Sequence, residues 1–209
     1  MIKRRVKQYF NQNQSGFTII ESLMAVIVVG ILMSAIAPAI ALSVATRVQA
    51  RRVELATQAA RTYIDGVRSG TITPPSTTVE RSSTQYFLHD VNPPTASAEG
   101  LASLHCVSLD ETSGCSSTSS KDLVIQAVRS VTSTSTDADK GYRLGLRVYR
   151  ADGFSDSGSL KASDRNTRQT QITFTGGLGD RKKPLVEMTT EITTAKTTFQ
   201  DFCDRLGGC

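Results

Sequence analysis

The sequence is poor in the residues that build enzyme sites. It has no tryptophan, only two histidines, and 6% aromatic residues among its 209. It contains neither a G-x-S-x-G nor an H-E-x-x-H motif, two patterns on which hydrolase and zinc-protease sites are built. The adjacent His105 and Cys106 suggest a thiol dyad, but neighbouring residues of a strand point to opposite faces. We therefore expect no enzymatic activity.

Charge is absent between Ser22 and Thr46, where Leu, Ile, Val, Ala and Met dominate. At about 1.5 Å per residue, roughly 25 helical residues reach about 37 Å, enough to cross a hydrocarbon core of about 30 Å. One acid, Glu21, lies just inside the start of this run. A carboxylate in hydrocarbon costs on the order of 2.5–3.5 kcal/mol, so its presence indicates a function.

A short basic leader precedes the apolar run. It has no acid and four basic residues, Lys3, Arg4, Arg5 and Lys7. The small Gly16 and the bulky Phe17 follow, with Glu21 four residues later. This order, G-F-T-I-I-E-S-L-M-A-V, resembles the class III leader of type IV prepilins and pseudopilins. The resemblance implies that a prepilin peptidase cuts after Gly16 and N-methylates Phe17.

The resemblance also implies how the chain assembles. In the family, the amine of the new first residue lies near the glutamate of a neighbouring subunit, which here would join Phe17 to Glu21. An unpaired buried glutamate is costly and a paired one much less so, so Glu21 would set the register between subunits. Many members carry a proline where this chain has Pro38, and we expect Pro38 to kink the helix because it removes a backbone donor.

Two other interpretations of the N-terminus remain open. The first is an ordinary signal peptide, because Ala39-Ile40-Ala41 fits an A-x-A cleavage box. Cutting there would release a periplasmic protein that begins at Leu42. The second is an uncut signal anchor in which Glu21 reaches the membrane interface.

The basic balance of the chain comes mostly from the leader. Of the 24 Lys and Arg, four lie before Gly16, which leaves 20 against 19 acids. We therefore expect no nucleic acid partner. The leader charges fit the positive-inside rule, which predicts a single-pass inner-membrane protein with its head in the periplasm. Arg47, Arg51 and Arg52, on the far side, run against that rule.

The four cysteines all follow the apolar run: Cys106, Cys115, Cys203 and Cys209. An even number at short spacing suggests two disulfides in an oxidising compartment. Of three connectivities, we expect the neighbour pairing, Cys106 with Cys115 and Cys203 with Cys209. Pilins often close their C-terminal region with a disulfide, and the expected bond between Cys203 and Cys209 is similar to it. No C-x-x-C spacing indicates a metal.

The apolar pattern predicts one helix from Thr18 to Ser69, stopped by Gly70 and the prolines beyond it. After Val48 it is amphipathic, with a stripe of apolar side chains that we expect to pack on a head. The stripe comprises Val48, Leu55, Ala59, Tyr63 and Val67. The predicted organisation is a cleaved leader (1–16), a transmembrane or filament-core helix (17–46), a stem helix (47–70), a Ser/Thr/Pro-rich variable region (71–121) and a β-sheet head (122–209).

Four strands are predicted in the second half, over Leu123–Arg129, Tyr142–Tyr149, Gln171–Phe174 and Leu185–Thr193. Short structured pieces are expected in the variable region at Gln85–Val91 and Leu101–Leu109. A long N-terminal helix packed on one face of an antiparallel sheet of about four strands is a pilin-like α+β fold.

Two loops contain charged clusters. Arg181, Lys182 and Lys183 follow a glycine-rich run that lacks the phosphate-loop pattern, and we interpret the segment as a hairpin turn. The three basic residues would be exposed and suited to an anionic polymer. Asp152, Asp156 and Asp164 lie in a Gly- and Ser-rich loop of the kind calcium prefers. They lack EF-hand spacing, and Lys161 and Arg165 interrupt the acids, so we expect a solvated loop and no cofactor, with calcium as the alternative.

The segments Y-R-L-G-L-R-V-Y-R and F-T-G-G-L-G-D-R-K-K-P-L-V-E-M-T-T-E are similar to pseudopilins of cyanobacterial hormogonium polysaccharide secretion. That resemblance implies motility and export of an anionic polysaccharide. The function expected is a minor pilin or pseudopilin of a type IV pilus or type II secretion-like machine, with other pilin subunits as partners. A surface-binding pilin that grips DNA or glycan is the alternative.

Overall fold

The computed structural model describes residues 16–80, 87–110, 113–132, 135–156, 158–171, 179–206 and 208–209. The chain divides between Ser43 and Val44 into two compact units, which we call the apolar unit and the head. One helix, α1 (Ile19–Arg68), runs through this boundary. The predicted long helix is thereby confirmed to within one residue at each end.

The apolar unit exposes its side chains. Every described residue from Gly16 to Ser43 is exposed. Among the described residues, α1 is the one helix long and apolar enough to cross a membrane, by length and composition. Helical backbone continues through Pro38. Pro38 has no N–H to donate to the carbonyl four residues earlier, and a kink there stays a prediction.

The head half of α1 is amphipathic. Its buried apolar side chains are three alanines, one aromatic residue and two β-branched residues: Ala56, Ala59, Ala60, Tyr63, Ile64 and Val67. Alanine lets the helix axis approach the sheet closely, so the packing extends to two alanines that the predicted stripe omitted. The prediction was wrong at Val48, which is 36% exposed, and Leu55 is only partly buried. The residue buried at this end of the helix is the polar Gln49.

The sheet has five described strands. They are β1 (Thr78–Glu80), β2 (His105–Val107), β3 (Leu123–Val131), β4 (Tyr142–Arg150) and β5 (Val186–Ile192). Their order is β1-β3-β4-β5, and β2 pairs with the other half of the β3 edge that β1 occupies. Short helices α2 (Ala98–Ala102) and α3 (Phe199–Leu206) and three 3-10 turns (Phe87–Asp90, Ala138–Lys140, Ala151–Phe154) complete the head.

The predicted α+β fold, a long N-terminal helix with a C-terminal sheet, is confirmed, and only the strand count and direction differ from the prediction. The sheet is mixed, because β1 runs parallel to β3, whereas β2, β4 and β5 lie in antiparallel pairs. Strands β1 and β2 have three residues each, too few to show a period of two. The predicted strand Gln171–Phe174 falls mostly outside the described residues, and Gln171 itself lies outside the strands.

Both faces of the sheet are covered. Leu144, Leu146 and Val148 of β4 pack under α1, as their alternation predicts. On the opposite face Gly145 lies under the Phe87–Asp90 turn, and a Cβ there would lie 2.8 Å from Phe87 Cζ. Only glycine permits this approach. A second cluster around Tyr149 covers the rest of that face.

Candidate functional site

The predicted cleavage bond lies immediately before α1. Gly16 and Phe17 have no regular secondary structure, and Phe17 is 79% exposed. No described atom lies within 4 Å of where a Gly16 Cβ would be. A protease needs an accessible backbone, and on its described side the bond between Gly16 and Phe17 lies outside the helix and is exposed. Residues 1–15, which hold the basic leader, lie outside the described residues.

Glu21 lies in the first turn of α1, where the helix dipole favours a carboxylate. The Glu21 backbone N–H lies 3.3 Å from Thr18 Oγ1 and 3.0 Å from Thr18 O. Thr18 therefore caps the helix. The spacing T-x-x-E, from Thr18 to Glu21, is that of a capping box. Sequence reasoning missed this signal, in which the Thr18 hydroxyl accepts the Glu21 backbone N–H at the start of the helix.

A continuous apolar surface follows Glu21. Large hydrophobic side chains are exposed at nearly every turn, for example Ile19 at 88%, Val26 at 72% and Met33 at 68%. Each such side chain gains about 1.5–3 kcal/mol on leaving water. The apolar unit therefore requires lipid or another protein around it. Its few hydroxyls satisfy themselves locally, as Ser22 and Ser34 donate to the carbonyls three residues earlier.

Both predicted disulfides are present in the head. Cys106 joins Cys115 and Cys203 joins Cys209, which is the neighbour pairing. The first bond ties β2 to the loop before β3, and the second ties α3 to the last residue. Cys106 is therefore not a free thiol beside His105. The His105 ring instead packs edge-on against Tyr63, with centroids 4.8 Å apart, and burial lowers the His105 pKa.

Arg181, Lys182 and Lys183 lie in a turn rather than a phosphate loop. Arg181 Nη2 pairs with Asp156 Oδ2 at 2.6 Å. Lys182 Nζ donates to the carbonyls of Gly153 at 2.8 Å and Asp156 at 2.6 Å. These contacts hold the turn against the Ala151–Phe154 segment. Two of its three basic side chains, Arg181 and Lys182, are therefore already paired within the head. The predicted hairpin lies partly at residues 172–178, outside the described range.

The three aspartates considered for calcium are engaged separately. Asp152 pairs with Arg150, Asp156 pairs with Arg181, and Asp164 accepts the N–H groups of residues 166 and 167. Those backbone hydrogen bonds lower the Asp164 pKa. Within the described part of the chain no group of three or more His, Cys, Asp or Glu is placed to hold a metal. That no cofactor binds here stays a prediction, with calcium as its alternative.

Two buried polar groups escaped sequence reasoning. Arg147 is fully buried and pairs with Glu187 at 2.9 Å. Its guanidinium also donates to the carbonyls of Val91 and Leu88, so it fastens the Phe87–Asp90 turn to the sheet. Gln49, on α1, donates to Gln171 across the head. The alternation of β4 puts Arg147 on the face opposite α1, but no local signal shows what covers that face.

A groove of about 530 Å³, lined by both polar and apolar groups, lies beside β5. Its lining comes from residues 163–168, Thr170, the Phe87–Asp90 turn and residues 187–189. Arg165 makes two hydrogen bonds, at 2.9 and 3.0 Å, to the Asp90 carboxylate. Hydroxyl, amide and charged groups of both signs meet here. Leu88 and Met188 add apolar surface to the lining, so the groove offers both polar and apolar contacts.

These features define a class of protein. A long N-terminal helix, apolar over its first half, followed by an α+β head with a C-terminal sheet, is consistent with a pilin fold. Residues 11–37 match the family described as the prokaryotic N-terminal methylation motif. The match spans the Gly16–Phe17 bond and Glu21, and it supports a type IV pilin-like class III leader. No curated protein and no solved structure matches the chain.

Proposed function

We propose that the chain is a structural subunit, a minor pilin or pseudopilin, of a type IV pilus or a type II secretion-like machine. A prepilin peptidase cuts it after Gly16 and methylates Phe17. The processed chain then assembles with other pilin subunits into a filament that supports secretion or motility. One observation carries this proposal: the methylation motif at residues 11–37 leads directly into an exposed, apolar half-helix with a single acid.

The mechanism proposed is an exchange of environments for that half-helix. In the membrane the apolar unit is surrounded by lipid, and no described side chain of α1 pairs with the Glu21 carboxylate. In a filament the apolar units of several subunits surround one another, and the Phe17 amine of a neighbour can pair with Glu21. Pairing removes much of the cost of a desolvated carboxylate, so the correct register is favoured over others.

The proposed location is the inner membrane, crossed once, with the head in the periplasm. Two features support that orientation. The basic leader belongs on the cytoplasmic side, and two disulfides join the cysteines of the head, as is usual in an oxidising compartment.

A narrower role is export of an anionic polysaccharide coupled to motility. Its support is the likeness of residues 142–150 and 174–191 to pseudopilins of hormogonium polysaccharide secretion. Deleting the gene would then abolish the secreted polysaccharide while leaving other exported material unchanged. An unchanged polysaccharide level would remove this narrower role and leave the filament subunit in place.

A surface-binding pilin that grips glycan is the second candidate, favoured by the hydroxyl, amide and charged groups in the groove beside β5. Exposed aromatic rings beside Arg181–Lys183 would have favoured it too. In the described part of the head the exposed large aromatics are Phe199 and Phe202, both on α3. Glycan binding by the purified full chain that is lost on substituting Thr167→Ala, Thr170→Ala and Thr189→Ala would support this candidate.

Crosslinking in native membranes tests the filament proposal. The wild-type chain should appear in a high-mass complex with other chains that carry the same leader. Glu21→Gln should still insert and be processed, but its recovery in that complex should fall about tenfold or more, since it removes a charge pair worth on the order of 1.5–3 kcal/mol. Recovery of Glu21→Gln at the wild-type level would contradict the role of Glu21.

Glu54→Gln is the matched control. Glu54 is also on α1 but lies in the head half, with its side chain 66% exposed beside Arg51. Its substitution should leave recovery unchanged. A wild-type chain that never enters such a complex would contradict the filament function as a whole.

A further inference from the structure

Only two residues, Phe17 and Thr18, separate the bond proposed for cleavage from Ile19, the first residue of α1. A protease needs a backbone whose carbonyl and N–H groups are accessible. A helix instead engages both groups in hydrogen bonds to residues four positions away. Whatever makes α1 begin at Ile19 therefore decides whether the bond between Gly16 and Phe17 can be cut.

Contacts at Thr18 show where the helical hydrogen bonds begin. The Thr18 carbonyl accepts the backbone N–H of Glu21 at 3.0 Å and that of Ser22 at 3.1 Å. The Thr18 hydroxyl oxygen also lies 3.3 Å from the Glu21 backbone nitrogen. Among the described residues, no carbonyl before Thr18 accepts an N–H of the helix. Thr18 is therefore the N-cap residue of α1, and the Gly16 carbonyl lies outside the helical pattern.

The residue types on both sides of Phe17 oppose a longer helix. Threonine is a poorer helix former than alanine but a favoured N-cap residue, because its hydroxyl oxygen accepts an N–H that the helix leaves without a partner. Glycine is a still poorer helix former. A Cβ at Gly16 would meet no described atom within 4 Å, so the described part of the chain does not need glycine there for space.

Apolar surroundings make the start of this helix more demanding than it would be in water. The first N–H groups of any helix lack carbonyl partners within it. Hydrocarbon offers no water to accept their hydrogen bonds, so each unsatisfied group is costly. Without a cap, the helix can satisfy these groups by growing backward, which would join the Gly16 carbonyl to the Ile20 N–H. The bond between Gly16 and Phe17 would then lie inside the first helical turn.

We propose that Thr18 is a positioning residue for processing: its hydroxyl stops α1 at Ile19 and so holds the bond between Gly16 and Phe17 outside the helix. A peptidase can bind the backbone there without first unwinding a helical turn. This role rests on the proposed function, which supplies the cleavage. Thr18 acts through backbone conformation, so the position requires a residue that caps or stops a helix rather than threonine itself.

Cleavage of the full chain in detergent by a purified prepilin peptidase tests the proposal, with kcat and KM measured separately. Thr18→Ala removes the hydroxyl and favours helix, so a smaller fraction of the chain holds the bond outside the helix. A substrate that is competent only in that fraction binds more weakly in proportion. KM should therefore rise about fivefold, the effect of losing a typical N-cap, while kcat stays unchanged.

Two further substitutions separate capping from direct recognition of threonine. Thr18→Gly has no hydroxyl but stops a helix nearly as well as threonine, and Thr18→Asn restores a capping oxygen on a side chain of different shape. Both variants should keep KM within about twofold of the wild-type value. A peptidase that recognises the threonine side chain itself would reject these two variants as strongly as Thr18→Ala, and that result would overturn the proposal.

Ser34→Ala is the matched control. The Ser34 hydroxyl also belongs to the apolar half of α1, but it donates to the Ile31 carbonyl inside the helix and caps neither end. Its loss should change neither kcat nor KM. An equal rise in KM for Ser34→Ala and Thr18→Ala would contradict the proposal, because the loss of any hydroxyl from this half would then suffice.

The conformation at the bond can be measured without the peptidase. The sequence has two Gly-Phe pairs, Gly16–Phe17 and Gly153–Phe154. Labelling glycine carbonyls with carbon-13 and phenylalanine nitrogens with nitrogen-15 therefore gives one NMR signal for each pair. Thr18→Ala should move the Gly16 carbonyl shift toward helical values and leave the Gly153 signal, in the head, unchanged. A Gly16 signal that stays in place would overturn the role of Thr18 as the helix stop.

The remaining outcomes separate the role of Thr18 from the processing on which it depends. A wild-type chain that the peptidase leaves uncut would contradict the proposed function and this role with it. A wild-type chain cut after Gly16, with Thr18→Ala cut at the same kcat and KM, would leave the proposed function intact and overturn the role. A fall in kcat alone would assign Thr18 to the chemical step and would also overturn it.

Discussion

The two halves of α1 have one backbone conformation and opposite surroundings. From Ile19 to Ser43 every side chain is exposed, whereas from Val44 to Arg68 one side of the helix is buried on the head. The second half finds its apolar partner within its own chain, in β4 and β5. The first half has no such partner among the described residues. The difference teaches that helical geometry is local, and that side-chain chemistry decides which environment each half requires.

Substitutions of apolar residues should show the largest difference between the two halves, measured as the change in the unfolding free energy of the head. Leu144 is fully buried under the second half. Leu144→Ala should lower the free energy of unfolding of the head by about 2–5 kcal/mol, because it removes buried methyl groups and leaves a cavity. Chemical denaturation of the full chain in detergent, followed by circular dichroism of the sheet, measures this change.

Leu32→Ala is the control in the first half, where Leu32 is 57% exposed. It should leave the unfolding free energy of the head unchanged within about 0.5 kcal/mol. Equal destabilisation by the two substitutions would break the distinction between the halves.

A charge placed in the first half should weaken membrane anchoring. Ile31 lies within the uncharged run. Ile31→Asp adds about 2.5–3.5 kcal/mol to the cost of insertion on the mildest scale, so the fraction of chain that stays in carbonate-washed membranes should fall sharply. Thr62→Asp, on the exposed side of the second half, should not change that fraction. Retention of both variants would argue against lipid around the first half.

Alkaline pH should lower the stability of the head, which contains the second half of α1, and by less than the substitutions above. Burial raises the pKa of Tyr142 to about 12, and it also raises the pKa of Tyr63 on α1. Between the ordinary tyrosine value near 10 and these raised values, the unfolded chain loses protons that the folded head keeps. Stability therefore falls as pH rises through this window. The melting temperature of the head should be lower at pH 11 than at pH 9, and a rise would contradict this account.

Local patterns predicted much of the fold. The bounds of α1 were predicted because the apolar run starts after Thr18 and Ser69-Gly70 ends it. Strand β4 was predicted to within one residue, and the alternation of its side chains puts Leu144 and Leu146 on one face, which packs on α1. Signals of this kind lie within a few residues of the element they specify, so one sequence suffices to find them.

Other features depend on residues far away in the chain. Gln49 is buried because Gln171, 122 residues later, accepts its hydrogen bond. Arg147 is buried because the Phe87–Asp90 turn lies over it. Strand β1 is too short to stand out from the loop that contains it. No spacing within the sequence predicts these contacts, since they form only when distant segments of the chain pack together.

The candidate site divides in the same way. Gly16, Phe17 and Glu21 belong to a contiguous motif, and the family match at residues 11–37 covers all three. The cluster Arg181–Lys183 was noticed as basic, but its place beside the start of the head half of α1 follows only from the contacts of Gln49 and Gly179.

Mass spectrometry of the N-terminus of the chain from native membranes tests the central claim most directly. The account predicts a chain that begins at an N-methylated Phe17. A chain that begins at Leu42 would contradict it, because the apolar unit would have been removed and the head released. An intact Met1 would also contradict it and would leave α1 as a plain membrane anchor.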